Sequence, residues 1–237
     1  MWEGARNLID LGGLALRGGG ATAYERVWRS AAPGSMTPAG WSAARAVGLT
    51  TVVDLRNDVE REGVAVVEGV EVIPAPTEDP DDPAFLEECG PWLDHPRSWS
   101  PNAARYPEKL AHVFAAIAGA EGGVLVHCAG GRDRTGLVTT MLLALTGVED
   151  EAIADHDERG FRGAADHPGH GLGYDPATGE WVSAPDEPWQ PGELDAALAD
   201  RRPVLLEFIR TTDVAAYLAA AGLDARCVDR LRSLLRG

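Results

Sequence analysis

A ten-residue stretch, HCAGGRDRTG (His127–Gly136), lies between two apolar runs, GVLV (Gly123–Val126) and LVTTMLLAL (Leu137–Leu145). That placement leaves few folds open. The first run is short and valine-rich, the mark of a strand buried on both faces, and the second is apolar nearly all round, the mark of a buried helix ending at Gly147. A buried strand feeding a buried helix through a glycine turn is one half of a parallel crossover.

The rest of the chain repeats the alternation. Val27–Arg29 and Leu14–Leu16 read as short strands, and TTVVDL (Thr50–Leu55) and VEVIP (Val70–Pro74) as further ones. Between them, Thr37 fits an N-cap, Pro38 a first helical position and Gly48 a stop. Tyr106–Ile117 is amphipathic, with Leu110, Val113, Phe114 and Ile117 on one face, and Glu149–Arg159 and everything from Glu193 onward read as helix. The expected fold is a three-layer α/β arrangement, a mostly parallel central sheet flanked by helices, in one domain over residues 1–237. Two stretches interrupt the pattern. Residues 75–105 are rich in proline and acid and read as a long excursion with one short helix, and 163–192 read as a surface loop or a lid insertion carrying Trp181 and Trp189.

Composition narrows the function classes. A net charge of −16 opposes a nucleic-acid binder, because a phosphate backbone selects a basic face, and it disfavours an anionic membrane surface. Lys109 is the lone lysine and no glycine-lysine pair exists, which excludes a Walker-type nucleotide loop. Cys89, Cys128 and Cys227 are odd in number and widely spaced, suiting a reducing compartment. With no apolar run of membrane-spanning length and no basic-then-apolar N-terminus, the expected location is cytoplasmic, signal-independent export remaining open.

The loop itself is where ligands bind in open parallel sheets, between a strand's C-terminal end and a helix N-terminus. Unpaired N–H groups and a positive partial charge there hold anions. Gly130 and Gly131 let successive N–H groups converge into a nest, so Ala129, Gly130, Gly131, Arg132, Asp133 and Arg134 form a cradle for a tetrahedral oxyanion. Arg134 adds a planar fork matching two phosphate oxygens. Cys128 lies at the bottom, and helix N-termini favour the thiolate form of a cysteine. A sulfur nucleophile beneath a bound phosphoryl group is placed for in-line attack, giving a cysteinyl-phosphate, with Arg134 stabilising the transition state. Thr135 can donate to the sulfur, and His127 orients the loop from beneath. Asp133 is the first choice for the acid that protonates the leaving oxygen. Glu78, Asp79, Asp81 and Asp82 compete for that role. This chemistry calls for no metal and no cofactor.

The loop resembles the signature of cysteine-dependent tyrosine phosphatases. AGGRDRTG is similar to the AGKDRTG loop of bacterial phosphatases related to mycobacterial tyrosine phosphatase B, and RNLIDLGG (Arg6–Gly13), WRSAAP (Trp28–Pro33), VVDLRNDVERE (Val52–Glu62) and RYPEKLAHVFAAI match that family in order. The likeness covers most of the first 160 residues, and the tail only loosely. It implies the cysteine-dependent phosphatase fold, Cys128 as nucleophile, Arg134 as phosphate binder and Asp133 as loop acid. It also implies phosphotyrosine substrates first, on a phosphorylated protein or a small phosphoester, with phosphoserine, phosphothreonine and phosphoinositides as options. Arg132 replaces the usual loop lysine, keeping the charge and enlarging the group. Arg56 and Glu60 read as an ion pair that positions the loop, and Arg6, Asp10 and Arg29 as structural.

Three other readings remain open on the residues. A metal-dependent phosphohydrolase would use His156, Asp157, His167 and His170, although consecutive helical residues point to different faces. A rhodanese-type sulfurtransferase also ends a strand with a reactive cysteine, but lacks the R-T-G exit. A phosphoprotein-binding module without turnover needs no thiolate. Oligomeric state has no signal in the sequence.

Overall fold

The structure, a computed structural model, describes residues 2–61, 67–167, 170–175, 177–178, 180–185 and 188–236. The elements follow the alternation: β1 (Ile9–Asp10), β2 (Val27–Ser30), α1 (Pro38–Ala46), β3 (Leu49–Asp54), β4 (Glu71–Pro74), α2 (Pro83–Cys89), α3 (Trp99–Arg105), α4 (Pro107–Gly119), β5 (Gly123–His127), α5 (Asp133–Thr146) and α6 (Asp150–Ala165). A hairpin, β6 (His170–Asp175) and β7 (Glu180–Pro185), precedes α7 (Glu193–Thr211), α8 (Val214–Ala220) and α9 (Ala225–Leu234).

Five strands form one sheet in the order β1-β2-β5-β3-β4, antiparallel between β1 and β2 and parallel elsewhere. Its centre is β5, whose alternation feeds two cores. Val124 and Val126 face the larger, with Val53, Leu110, Phe114, Leu137, Met141 and the C-terminal helices. Leu125 faces the smaller, with Trp2, Trp28, Ala44 and Val52 against α1. That is the expected three-layer arrangement, and it explains why β5 carries no polar residue before His127.

Local signals place the helix ends. Thr37 caps α1 by accepting from Gly40 N at 3.1 Å, and Gly147 ends α5 in the left-handed region at φ 90°. Because β2, β5, β3 and β4 run parallel, the segments leaving all four gather on one edge of the sheet.

Three expectations change. Leu14–Leu16 makes only isolated bridges, Ala15 to Ala21 and Leu16 to Val148. Residues 75–105 hold two α-helices rather than one, because Asp82 accepts from Ala84 N and Phe85 N ahead of Pro83, turning an apparent breaker into a helix start. The 163–192 stretch begins with the end of α6 and then pairs as the β6–β7 hairpin. There Asp175 turns the chain by accepting from Ala177 N at 2.9 Å and Thr178 Oγ1 at 3.1 Å. Trp181 ties the hairpin to the acidic loop, donating from Nε1 to Pro80 O at 3.0 Å. Positions 168–169, 176, 179 and 186–187 of that stretch, and Glu62, lie outside the described residues. Among the described residues no helix is long and apolar enough to cross a membrane.

Candidate active site

The site begins where β5 leaves the sheet. His127 O still accepts from Leu55 N at 2.8 Å, and the next residue, Cys128, is almost fully buried. From there the loop's carbonyls are taken up by donors from the surrounding segments. Ala129 O accepts from Ala32 N at 2.9 Å. Asn7 Nδ2 lies 3.0 Å from Gly130 O, 3.2 Å from Gly131 O and 2.8 Å from Gly160 O. Arg29 Nη2 donates to Gly131 O at 2.8 Å and Arg132 O at 3.2 Å. His127 Nδ1 lies 3.0 Å from Cys128 O. Among the described residues the N–H groups of Ala129, Gly130 and Gly131 donate to no acceptor. A backbone with its acceptors used on one side and its donors spare on the other is an anion nest.

Only one of the two glycines is required by this geometry. Gly131 sits at φ 66°, and a Cβ there would fall 2.3 Å from Ser30 O. Gly130 meets nothing within 4 Å and has no such φ.

Arg134 enters from the first turn of α5. Its Nη1 and Nη2 donate to Glu60 Oε2 at 2.5 Å and Oε1 at 2.7 Å, a bidentate pair, and its Nε lies 3.7 Å from Glu78 Oε1. Burial pulls its pKa down, but the Glu60 bonds and the charges of Glu78 and Cys128 outweigh that and hold it above the ordinary value. Burial pushes Glu60 up, and the Arg134 bond overrides it, leaving Glu60 below the usual range. Glu78 goes the other way: burial, with help from Glu60 and Asp133, pushes it up against the pull of Arg134.

A profile of the tyrosine phosphatase family matches residues 1–159 of the 237. The chain belongs to that family. It is also 32% identical over 181 residues to a Cupriavidus necator protein named "Putative tyrosine-protein phosphatase", a match spanning 67% of this chain and 62% of the relative's length. The family stretch holds the phosphatase-type loop, Asn7, Arg29, Glu60 and Asp157, and stops inside α6.

Several sequence expectations are revised within this family framework. Arg56 and Glu60 are not paired through their charged groups. Arg56 Nε and Nη2 donate to Asp54 at 3.0 and 2.8 Å, Arg56 Nη1 reaches only the backbone O of Glu60, and the Glu60 carboxylate is taken by Arg134. The reason is the three-residue turn at Asp58–Glu60, in which Glu60 also accepts from Asn57 N and so faces the loop. His127 is buried at the end of β5 with Nε2 3.8 Å from Asp54, and that burial keeps its pKa low. Thr135 is fully buried, and its Oγ1 has no hydrogen-bond partner among the described residues, so it does not reach the sulfur here.

Asp133, the expected loop acid, is held by two guanidiniums: Oδ2 accepts from Arg132 Nε at 2.7 Å, and Oδ1 lies 3.5 Å from Arg201 Nη1. Arg201 also reaches Asp157 at 3.6 Å, and Asp157 lies 3.7 Å from Arg29. Burial pushes Asp157 above the usual carboxylate range, although both arginines pull it down. Its neighbour His156 is buried and held well below the ordinary histidine pKa by that burial and by Arg29. Among the described residues no three histidine, cysteine, aspartate or glutamate side chains converge to hold a metal.

Sequence reasoning missed Asn7, Asp54 and Arg201 as parts of the site, and it named Asp157 only as a ligand in the metal-dependent reading. The signal for Asp157 and Arg201 was present as a misfit: both stand in buried helical stripes, Ile153-Asp157-Gly160-Phe161 and Leu198-Arg201-Leu205-Phe208. A charge in an apolar stripe is buried with a partner.

Proposed function

We propose that the chain hydrolyses phosphomonoesters, phosphotyrosine first, through a cysteinyl-phosphate intermediate. The phosphoryl group sits in the nest at Ala129–Asp133. Of the five N–H bonds of the Arg134 guanidinium, Glu60 takes two, one from each terminal nitrogen, and one side of the fork remains for phosphate oxygens. Glu60 thus fixes the plane of the fork before substrate arrives, so little reorganisation is needed as charge develops on the equatorial oxygens. The Cys128 sulfur attacks phosphorus as the bond to the leaving oxygen breaks, and Asp133 gives that oxygen its proton. Water then attacks the phosphocysteine, Asp133 takes the water's proton, and the sulfur–phosphorus bond breaks to release inorganic phosphate.

The observation that carries this reading is the loop's carbonyls, bound by Asn7 and Arg29, beside a buried cysteine. A phosphoprotein-binding module would have no use for that cysteine. The experiment is hydrolysis of p-nitrophenyl phosphate by wild type and Cys128→Ser. Turnover is expected in the first and none in the second, with inorganic phosphate still bound by the variant. A wild type that binds phosphate and never turns over overturns the reading in favour of a binding module.

A second reading of the acid rests on two observations. Asp133 must exchange the Arg132 guanidinium for a proton, whereas Glu78 is buried beside Arg134 with its carboxyl already pushed toward the neutral form. Asp133 has the advantage of sitting in the loop itself. The two are separated by the leaving-group test given in the Discussion.

A further inference from the structure

We propose that Arg201, on α7 and outside the family-matched stretch, is a positioning residue that aims Asp133 at the leaving oxygen. The proposal rests on the phosphatase reading above.

The geometry is a closed circuit of charges around the loop. Arg29 on β2 binds the carbonyls of Gly131 and Arg132. Arg132 binds Asp133 Oδ2, Asp133 Oδ1 faces Arg201 Nη1, Arg201 Nη2 lies 3.6 Å from Asp157 Oδ2, and Asp157 Oδ1 lies 3.7 Å from Arg29 Nη1. Arg201 is the member that arrives from furthest along the chain. It is 3% exposed, its guanidinium lies over the Phe161 ring at 4.1 Å, and its Nη1 also donates to Asp94 O. Three contacts, two from α6 (Asp157 and Phe161) and one from Asp94 between α2 and α3, fix that planar group, so Asp133 is offered a cation whose position does not wander.

Asp133 needs such a guide. Arg132, its other partner, lies in the loop among the groups that a phosphate dianion attracts. When Arg132 turns to substrate, Arg201 is the remaining restraint on the Asp133 carboxyl. Proton transfer demands that the donor oxygen sit within hydrogen-bond reach of the leaving oxygen, and small misplacements cost rate steeply. Arg201 touches neither phosphate nor leaving group in this scheme.

The test uses the full chain and four variants, Arg201→Gln, Arg201→Lys, Arg202→Gln and Cys128→Ser. They are assayed on p-nitrophenyl phosphate, whose leaving group needs little proton, and on phenyl phosphate, whose leaving group needs one. Arg202 is the neighbouring surface residue, tying α7 to α6 through Glu151 at 2.6 Å and Asp155 at 2.8 Å, and it controls for loosened docking. In Arg201→Gln, kcat for phenyl phosphate should fall roughly tenfold more than kcat for p-nitrophenyl phosphate, with inhibition by inorganic phosphate little changed. Arg201→Lys should show a smaller split, and Arg202→Gln none. If circular dichroism shows Arg201→Gln unfolded, Arg201→Lys carries the test, and a folded Arg201→Lys with no split overturns the proposal. Equal losses on both substrates, or the same split in Arg202→Gln, overturn it too. A wild type without turnover, or an active Cys128→Ser, brings down the phosphatase reading itself and the role of Arg201 with it.

Discussion

Gly130 and Gly131 are adjacent and chemically identical, yet alanine should be damaging at one position and nearly silent at the other. At Gly131 the backbone is left-handed, φ 66°, which costs a residue with a Cβ roughly 1–2 kcal/mol. The new methyl would also lie 2.3 Å from Ser30 O, 2.4 Å from Ser30 C and 2.6 Å from Ala31 N. Those atoms cannot retreat, because Ser30 is a β2 residue in register with His127 of β5. Overpacking of this kind adds about 1–3 kcal/mol. The sum, about 2–5 kcal/mol, is of the same order as the net worth of the loop's bonds to Asn7 and Arg29, so the loop should shift and the nest open. At Gly130 the methyl meets open space and φ is ordinary, so stability should change by no more than ~0.5 kcal/mol. The assay is kcat/KM on an aryl phosphate, with inorganic phosphate as competitive inhibitor and urea unfolding as the stability control. Gly131→Ala should lose on the order of a hundredfold in kcat/KM together with phosphate inhibition, and Gly130→Ala should stay within about threefold. Equal sensitivity at the two positions would refute the nest, as would a Gly131→Ala variant with unchanged phosphate inhibition.

Asp133→Asn should depress kcat most for phenyl and alkyl phosphates and least for p-nitrophenyl phosphate, by on the order of 10²-fold for the poorest leaving group. If Glu78→Gln shows that pattern and Asp133→Asn does not, the acid is Glu78. Glu60→Gln should weaken phosphate inhibition and flatten the acid limb of stability. Glu60 is held below its ordinary pKa of 4.5, so its contribution is full above that value and is lost as pH falls beneath it. Urea midpoints at successive pH values from neutral to 3 check this, and an unchanged acid slope in the variant would count against the Arg134 pair.

The loop's place between a buried strand and a buried helix was legible in the chain because it is local. The β5–loop–α5 unit, the glycines, Cys128 and Arg134 are contiguous, and strand and helix patterns fixed their relative positions before any long-range contact was known. What holds the loop was legible only in part: Glu60 read as a positioning residue and Arg29 as structural, but not their partners. Asn7, Arg29, Asp54, Glu60, Asp157 and Arg201 come from six separate segments, and pairing among them depends on which side of each element faces inward. Arg56 and Glu60 illustrate the difficulty: at a four-residue spacing they suggest one ion pair, and a short turn sends them to different partners.

The sequence alone determined a layered, mostly parallel α/β fold with a glycine-bearing loop, the proposed oxyanion cradle, at a strand-to-helix junction, because hydrophobic periodicity and glycine freedom act over a few residues. Tertiary structure alone decided that Gly131 and not Gly130 has a left-handed φ and no room for a side chain, that Glu60 holds Arg134, and that a helix beyond the family stretch reaches Asp133. Those outcomes depend on approach distances between segments 68, 74 and 101 residues apart and on the need of buried charges to find partners, and neither is written in the order of residues.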